Sequence, residues 1–189
     1  MKKSIEEIIK MAEPVRPLTE IIERECLARL AQEVDHNGKS IVEIGCLYGG
    51  MTAVLGIAAP NSQITTIDDF SWHPEDDVPT SADLLLSNMK KVGVSNVQVL
   101  EGDSRRIGIN WFSPIDLLWV DGGHSYDYVF MDLMLFGVRA KTIALHDFGN
   151  PFWATIKQAI EDFLRLTDGM FILSEVAGTV AVLRRTEGR

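Results

Sequence analysis

Two short stretches of this chain carry the residue types best able to do chemistry. Asp121-Gly-Gly-His124-Ser-Tyr126 and His146-Asp147-Phe148-Gly149-Asn150 each follow an apolar run that reads as a β-strand. If those strands are neighbours in a parallel sheet, two carboxylates and two imidazoles meet in a small volume. Such a set can hold a divalent cation through oxygen and nitrogen. It can also move protons, because imidazole titrates near neutrality, which makes His124 and His146 candidate bases beside Asp121.

A third stretch indicates what these groups would act on. Ile41-Val-Glu-Ile-Gly-Cys-Leu-Tyr-Gly-Gly50 reads as a buried strand, a glycine turn and the start of a helix. A dinucleotide loop has the pattern G-x-G-x-x-G, and its middle glycine lets the backbone approach a pyrophosphate. Here Gly45 and Gly50 hold the outer places and Leu47 fills the middle one. Leucine is a poor neighbour for phosphate oxygens, and the acidic Glu43 before the turn suits a cation. An adenosine ligand with positive charge and no phosphate fits such a loop, and S-adenosylmethionine is one. Asp68 and Asp69 follow at the interval where an acid takes ribose hydroxyls, with Asp68 the first choice. Glu101-Gly102-Asp103-Ser104 ends the next strand, where a short polar side chain can reach adenine or cap a helix.

These segments need a sheet to bring them together. Apolar residues at helical spacing predict helices over 4–12 and from Thr19, as cap, to Val34, with Ile22, Cys26, Leu27 and Leu30 on one face. Strands are then expected at 40–44, 63–67, 97–100, 115–120 and 142–145, with helices over 50–59, 81–92, 126–136 and 151–166. Strands at 170–175 and 179–184 around Ala177-Gly178 read as a hairpin. The result is an α/β chain with a doubly wound, mostly parallel seven-stranded sheet, Rossmann-like, and helices on both faces. Ligands of such sheets bind beyond the carboxyl ends of the strands. Residues 1–37 form an N-terminal helical cap or lid, and 38–189 the binding domain of one compact unit. The loop 70–79, with Trp72 and His73, is a candidate wall of an acceptor pocket.

Composition narrows the class. The chain has 189 residues, 46% of them hydrophobic, enough for one packed domain. A net charge of −9 makes it a poor general binder of nucleic acid. No apolar run approaches the roughly 20 residues that cross a bilayer, and no signal peptide is legible. Cys26 and Cys46 form no C-x-x-C pair, so reduced thiols in a cytoplasmic protein are expected, with Cys46 a small spacer in the glycine loop. A homodimer is the commonest alternative to a monomer.

The order V-E-I-G-x-x-x-G-G, Asp68, Gly102-Asp103-Ser104, Asp-Gly-Gly-His-Ser-Tyr and Leu-His-Asp-Phe resembles the class I S-adenosylmethionine-dependent methyltransferases. Within them it is most similar to the small bacterial macrocin-type and cephalosporin-hydroxylase-like O-methyltransferases. The resemblance covers roughly residues 38–185 and implies strand order 3-2-1-4-5-7-6. It implies that Glu43, Gly45, Cys46, Tyr48, Gly49 and Gly50 hold the methionine part of the cofactor. It further implies Asp68 or Asp69 at the ribose, Gly102, Asp103 and Ser104 at the adenine, and Asp121 near the sulfonium. Relatives hold a divalent cation, often Mg²⁺, on acids at the places of Asp121 and Asp147. His146 stands where relatives often have an acid, so an Asp121–His146–Asp147 site would favour Mn²⁺, Fe²⁺ or Zn²⁺, or His146 would act as base without metal.

The implied reaction is methylation of a hydroxyl on a small molecule, whether sugar, phenol or natural-product intermediate. Three rivals use the same residues. A nicotinamide-dependent oxidoreductase is opposed by Leu47. A metal hydrolase on His124, His146 and Asp147 leaves the first loop unexplained. A non-catalytic module that binds the cofactor remains open. Gly38-Lys39-Ser40 is no P-loop, because Glu33 replaces the first glycine and a strand follows.

Overall fold

A computed structural model of the chain describes residues 2–73 and 79–186. Seven strands form one sheet: β1 (Ser40–Ile44), β2 (Gln63–Asp68), β3 (Val97–Glu101), β4 (Ile115–Val120), β5 (Ala140–Leu145), β6 (Phe171–Ala177) and β7 (Val180–Arg185). Their order is β3-β2-β1-β4-β5-β7-β6, as expected, with β6 and β7 antiparallel. The helices are α1 (Ile5–Ala12), α2 (Ile21–Glu33), α3 (Gly50–Ala58), α4 (Ala82–Lys91), α5 (Ser104–Gly108), α6 (Tyr126–Leu135) and α7 (Ala154–Leu166). No helix among the described residues is long and apolar enough to cross a membrane.

The alternation of side chains along a strand builds two cores. Ile41, Leu117, Trp119 and Ala144 point to the face covered by α1, α2 and α3, where they meet Ile8, Leu27, Val54 and Leu55. Val42, Ile44, Leu118, Val120, Ile143 and Leu145 point to the other face, against Leu133, Phe136, Ile160 and Phe163 of the α6–α7 layer. Ile8 and Ala12 of α1 and Cys26, Leu27 and Leu30 of α2 are part of the first of these cores.

Four local expectations change. Glu20, not Thr19, precedes the first turn of α2, and its amide donates to Glu23. Thr19 instead turns its hydroxyl onto Met51 Sδ. Ile22 is exposed, and Glu23 takes the inward position, because 23, 26, 27 and 30 form the buried stripe. A short helix, α5, follows Asp103, whose carboxylate accepts the Arg105 amide. Pro151 opens a 3-10 turn capped by Asn150, and α7 proper starts at Ala154.

The backbone ladder runs past the strand ends and fixes the loops that follow. The amides of Gly45, Gly102, Asp121 and His146 donate to the carbonyls of Ile67, Asp68, Ile44 and Val120 at 2.8–3.0 Å. Gly45 makes this possible: at φ +84, any Cβ there would lie 2.1 Å from the Asp121 carbonyl oxygen. Gly45→Ala should therefore part the ends of β1 and β4. We expect a loss of about 2–4 kcal/mol, read as a lowered denaturation midpoint without ligand.

Candidate active site

The loops after β1, β2, β3, β4 and β5 enclose one crevice of about 540 Å³. Gly45, Cys46, Leu47, Tyr48 and Gly50 line it, with Asp68, Asp69, Gly102, Asp103, Ser104, Asp121, His124, His146 and Asp147. Arg16, Leu18 and Thr19 add a wall from the segment between α1 and α2, and Tyr128 adds one from α6.

The glycine loop is held from below by two acids. Asp68 Oδ2 accepts the amides of Cys46 at 2.8 Å and Leu47 at 2.9 Å, and Oδ1 accepts that of Phe70 at 2.8 Å. This carboxylate satisfies backbone donors that leave the sheet unpaired. Asp69 beside it is exposed and lines the crevice. Glu43 is fully buried under the loop, where Thr52 donates to its Oε2 at 2.6 Å. It does not line the crevice, so the structure removes it from the expected ligand contacts. Burial pushes its pKa up to about 8. Gly49 is likewise a packing residue, since a Cβ there would meet Met89 and Leu85 of α4. Leu47, at φ +49, stands in the crevice wall where a pyrophosphate loop would present bare backbone.

At the β3 end, Asp103 pairs with Arg105 at 2.7 Å, and Ser104 donates to the buried Asp132 at 2.6 Å. Burial raises the Asp132 pKa to about 7. Arg105 also lies over the Tyr128 ring, 3.7 Å from its centroid. Both side chains expected at an adenine are thus engaged, and Gly102, Asp103 and Ser104 all line the crevice.

The β4 and β5 loops converge as expected, with one exchange of roles. Oxygen or nitrogen atoms of Asp121, His124 and Asp147 all lie within 4.8 Å of one another. His124 Nε2 is 2.9 Å from Asp147 Oδ2, and its ring stacks on Trp153 at a centroid distance of 4.8 Å. His146 was expected in this set, but the sheet turns it toward α2. Its Nε2 lies 3.1 Å from Glu23 Oε2. Its Nδ1 lies 3.1 Å from Asp121 Oδ1 and 3.5 Å from Asp147 Oδ2, off the line of a hydrogen bond. Burial opposes charge on this ring, yet the Asp121 and Asp147 carboxylates outweigh it and lift the pKa to about 11. With no metal bound, His146 is thus an imidazolium at neutral pH, with no lone pair for a substrate proton. Burial also opposes charge on Asp147, but contacts with His124 and His146 hold its carboxyl well below the usual range. Burial raises Asp121.

Glu23 is the member of this cluster that sequence reading missed. Its Oε1 accepts from the amide and hydroxyl of Thr179, at 2.9 and 2.7 Å, in the turn between β6 and β7. The one available signal was an acid within the apolar stripe of a helix. The loop after β2 is described in part. Trp72 lines the crevice and His73 Nδ1 accepts the Thr80 amide, whereas 74–78 lie outside the described residues.

Fold and crevice define a class. A parallel sheet of order 3-2-1-4-5-7-6 with a terminal antiparallel hairpin, its crevice beyond the strand ends, is the Rossmann-like methyltransferase architecture. The family model described as "Methyltransferase domain" matches residues 42–148. The chain belongs to this methyltransferase family. Among solved structures it is similar to the O-methyltransferase NovP, at 16% identity and TM-score 0.75, covering 96% of this chain and 88% of that one. It is similar to the S-adenosylhomocysteine-bound methyltransferase PaMTH1 of Podospora anserina, at 18% identity and TM-score 0.66, covering 99% and 89%. It is also similar to CalS11, a TDP-rhamnose 3'-O-methyltransferase of calicheamicin biosynthesis, at 17% identity and TM-score 0.59, covering 95% and 92%. No curated protein sequence matches the chain.

Glu43 gives a test of the buried loop support. A carboxyl raised to about 8 in the fold keeps its proton where the unfolded chain, with an ordinary value near 4.5, has lost it. The folded state then binds more protons, so this group lowers stability as pH rises from 4.5 to 8. Glu43→Gln should remove that slope, on the order of 1.4 kcal/mol per pH unit, in denaturant titrations of both proteins at pH 5 to 8.

Proposed function

We propose that this chain transfers the methyl group of S-adenosylmethionine to a hydroxyl of a small molecule, in the cytoplasm. The observation that carries the reading is the convergence of Asp121, His124 and Asp147 beside the Leu47 loop at the strand ends. When bound, S-adenosylmethionine supplies a methyl group already activated by its sulfonium. The residues present fit it: the crevice is acidic, and Leu47 rather than bare amides faces it. Gly45, Cys46, Leu47, Tyr48 and Gly50 form the floor for the amino-acid part. The ribose role passes to the exposed Asp69, because Asp68 is engaged by three amides. Gly102, Asp103 and Ser104 border the adenine place.

His124 is the group suited to take the acceptor's proton. In the tautomer that donates Nε2–H to Asp147, the lone pair lies on Nδ1, and Trp153 fixes the ring plane. Asp121, beside the imidazolium of His146, presents a carboxylate to the same volume. A transfer that begins with an activated methyl asks mainly for alignment and removal of one proton. In calorimetry, S-adenosylhomocysteine should bind the full chain while NADH does not. Asp121→Asn should lower methyl transfer by at least about a hundredfold in a variant that still unfolds cooperatively and still binds S-adenosylhomocysteine. Normal turnover in that variant would remove Asp121 from the reaction.

The three-residue cluster also favours a metal-assisted version. One imidazole and two carboxylates suit Mn²⁺, Fe²⁺ or Zn²⁺ better than Mg²⁺, and such an ion would lower the pKa of the acceptor hydroxyl. Mn²⁺ titration of the chain should then show one site, weakened at least about tenfold in His124→Ala. An absence of Mn²⁺ binding would leave His124 as base alone.

A further inference from the structure

We propose that the acceptor side of this crevice selects a flat ring without negative charge, so that phosphorylated and carboxylated acceptors are excluded. This specificity rests on the methyl-transfer reading above. Five aspartates line the crevice: Asp68, Asp69, Asp103, Asp121 and Asp147. Among the described lining residues, Arg16 is the one Lys or Arg. It precedes Pro17, which packs against Gly50 at the start of α3.

The end of the crevice at Asp121 and Asp147 holds more carboxylates than imidazoles. Glu23, Asp121 and Asp147 are three carboxylates against two imidazoles, His146 and His124, and one negative charge is left over with both rings counted as charged. A divalent cation on Asp121, His124 and Asp147 would take the His124 ring in its neutral form, and so bring this group to neutrality and no further. A phosphate or carboxylate that leaves water needs a cationic or many-donor partner, and the guanidinium nearest this rim, Arg105 over Tyr128, is already paired with Asp103 at 2.7 Å.

The rim supplies the shape. Trp72 is 61% exposed, Trp153 44%, Tyr128 37% and Leu18 57%, and all four line the crevice. Large apolar faces left open at a pocket mouth suit a planar ring, and aromatic faces also attract cations. Trp153 already stacks on His124. A ring seated against that pair therefore lies next to the imidazole that would take its hydroxyl proton.

One ring in three charge states tests this. Catechol, 3,4-dihydroxybenzoate and 3,4-dihydroxyphenethylamine are titrated calorimetrically into the full chain, alone and saturated with S-adenosylhomocysteine, without added metal. The neutral and ammonium-bearing rings are expected to bind at least about tenfold tighter than the carboxylated one, with the gap narrowing as salt rises. Trp153→Ala should weaken that binding about tenfold, and Trp153→Phe should restore it. Equal or tighter binding of the carboxylated ring, no binding of any ring, or unchanged binding in Trp153→Ala overturns the proposal. If S-adenosylhomocysteine fails to bind while the chain alone keeps the charge preference, the methyl-transfer reading falls and the selectivity stands.

Discussion

The arrangement of this crevice depends on one imidazolium held among three carboxylates. His146 lies 3.1 Å from Glu23 on one side and 3.1 Å from Asp121 on the other, with Asp147 at 3.5 Å. Glu23 is also tied to Thr179. The contacts therefore join α2, the β6–β7 turn and the ends of β4 and β5 through a single ring. A buried ion pair adds little net stability, because desolvation offsets the Coulomb gain, but removal of one partner strands the others. Its effect here is positional. With His146 in place, Asp121 and Asp147 can lie close together without facing each other as bare charges, and His124 is left as the imidazole with its face to Trp153.

The acids under the first loop show how a strand-end carboxylate can have two uses. A chain that leaves a parallel sheet exposes amides that no neighbouring strand can take. Asp68 accepts three of them, and Glu43 lies deeper, bonded to Thr52. Spacing alone gave both residues to the ligand, because a carboxylate at that interval looks the same whether it faces a ribose or a peptide. Neighbours decide: Asp68 has Cys46 and Leu47 within reach, while Asp69 is turned out to the crevice.

The same contrast sets what was legible in the sequence. The strands were readable because two-residue alternation and burial on both faces leave a dense apolar signal at Ile115–Val120 and Ile41–Ile44. The order of the ligand-bearing loops followed from them, and so did the meeting of Asp121, His124 and Asp147. The roles of the two histidines did not. That alternation places His146 on the face of Ala144 and Trp119, which α2 covers, so it meets Glu23, 123 residues earlier in the chain. Asp147, at φ +60, leaves the strand geometry and turns toward His124. Local spacing contains no information about a partner that distant. A carboxylate among Cys26, Leu27 and Leu30 was the only trace of it.

Charge joins the two halves of the proposed reaction. A crevice lined by five aspartates is a poor place for a pyrophosphate and a good one for a sulfonium. On the proposed chemistry, transfer removes that positive charge from the bound nucleoside and puts the methyl on a neutral oxygen. The carboxylates that favour the reactant then hold the product less strongly, while the loop contacts through Gly45–Gly50 stay the same. An acceptor with its own negative charge would meet the same field with the opposite sign. One distribution of aspartates can thus favour entry of the cofactor, ease departure of its product and restrict the acceptor, without a separate device for each.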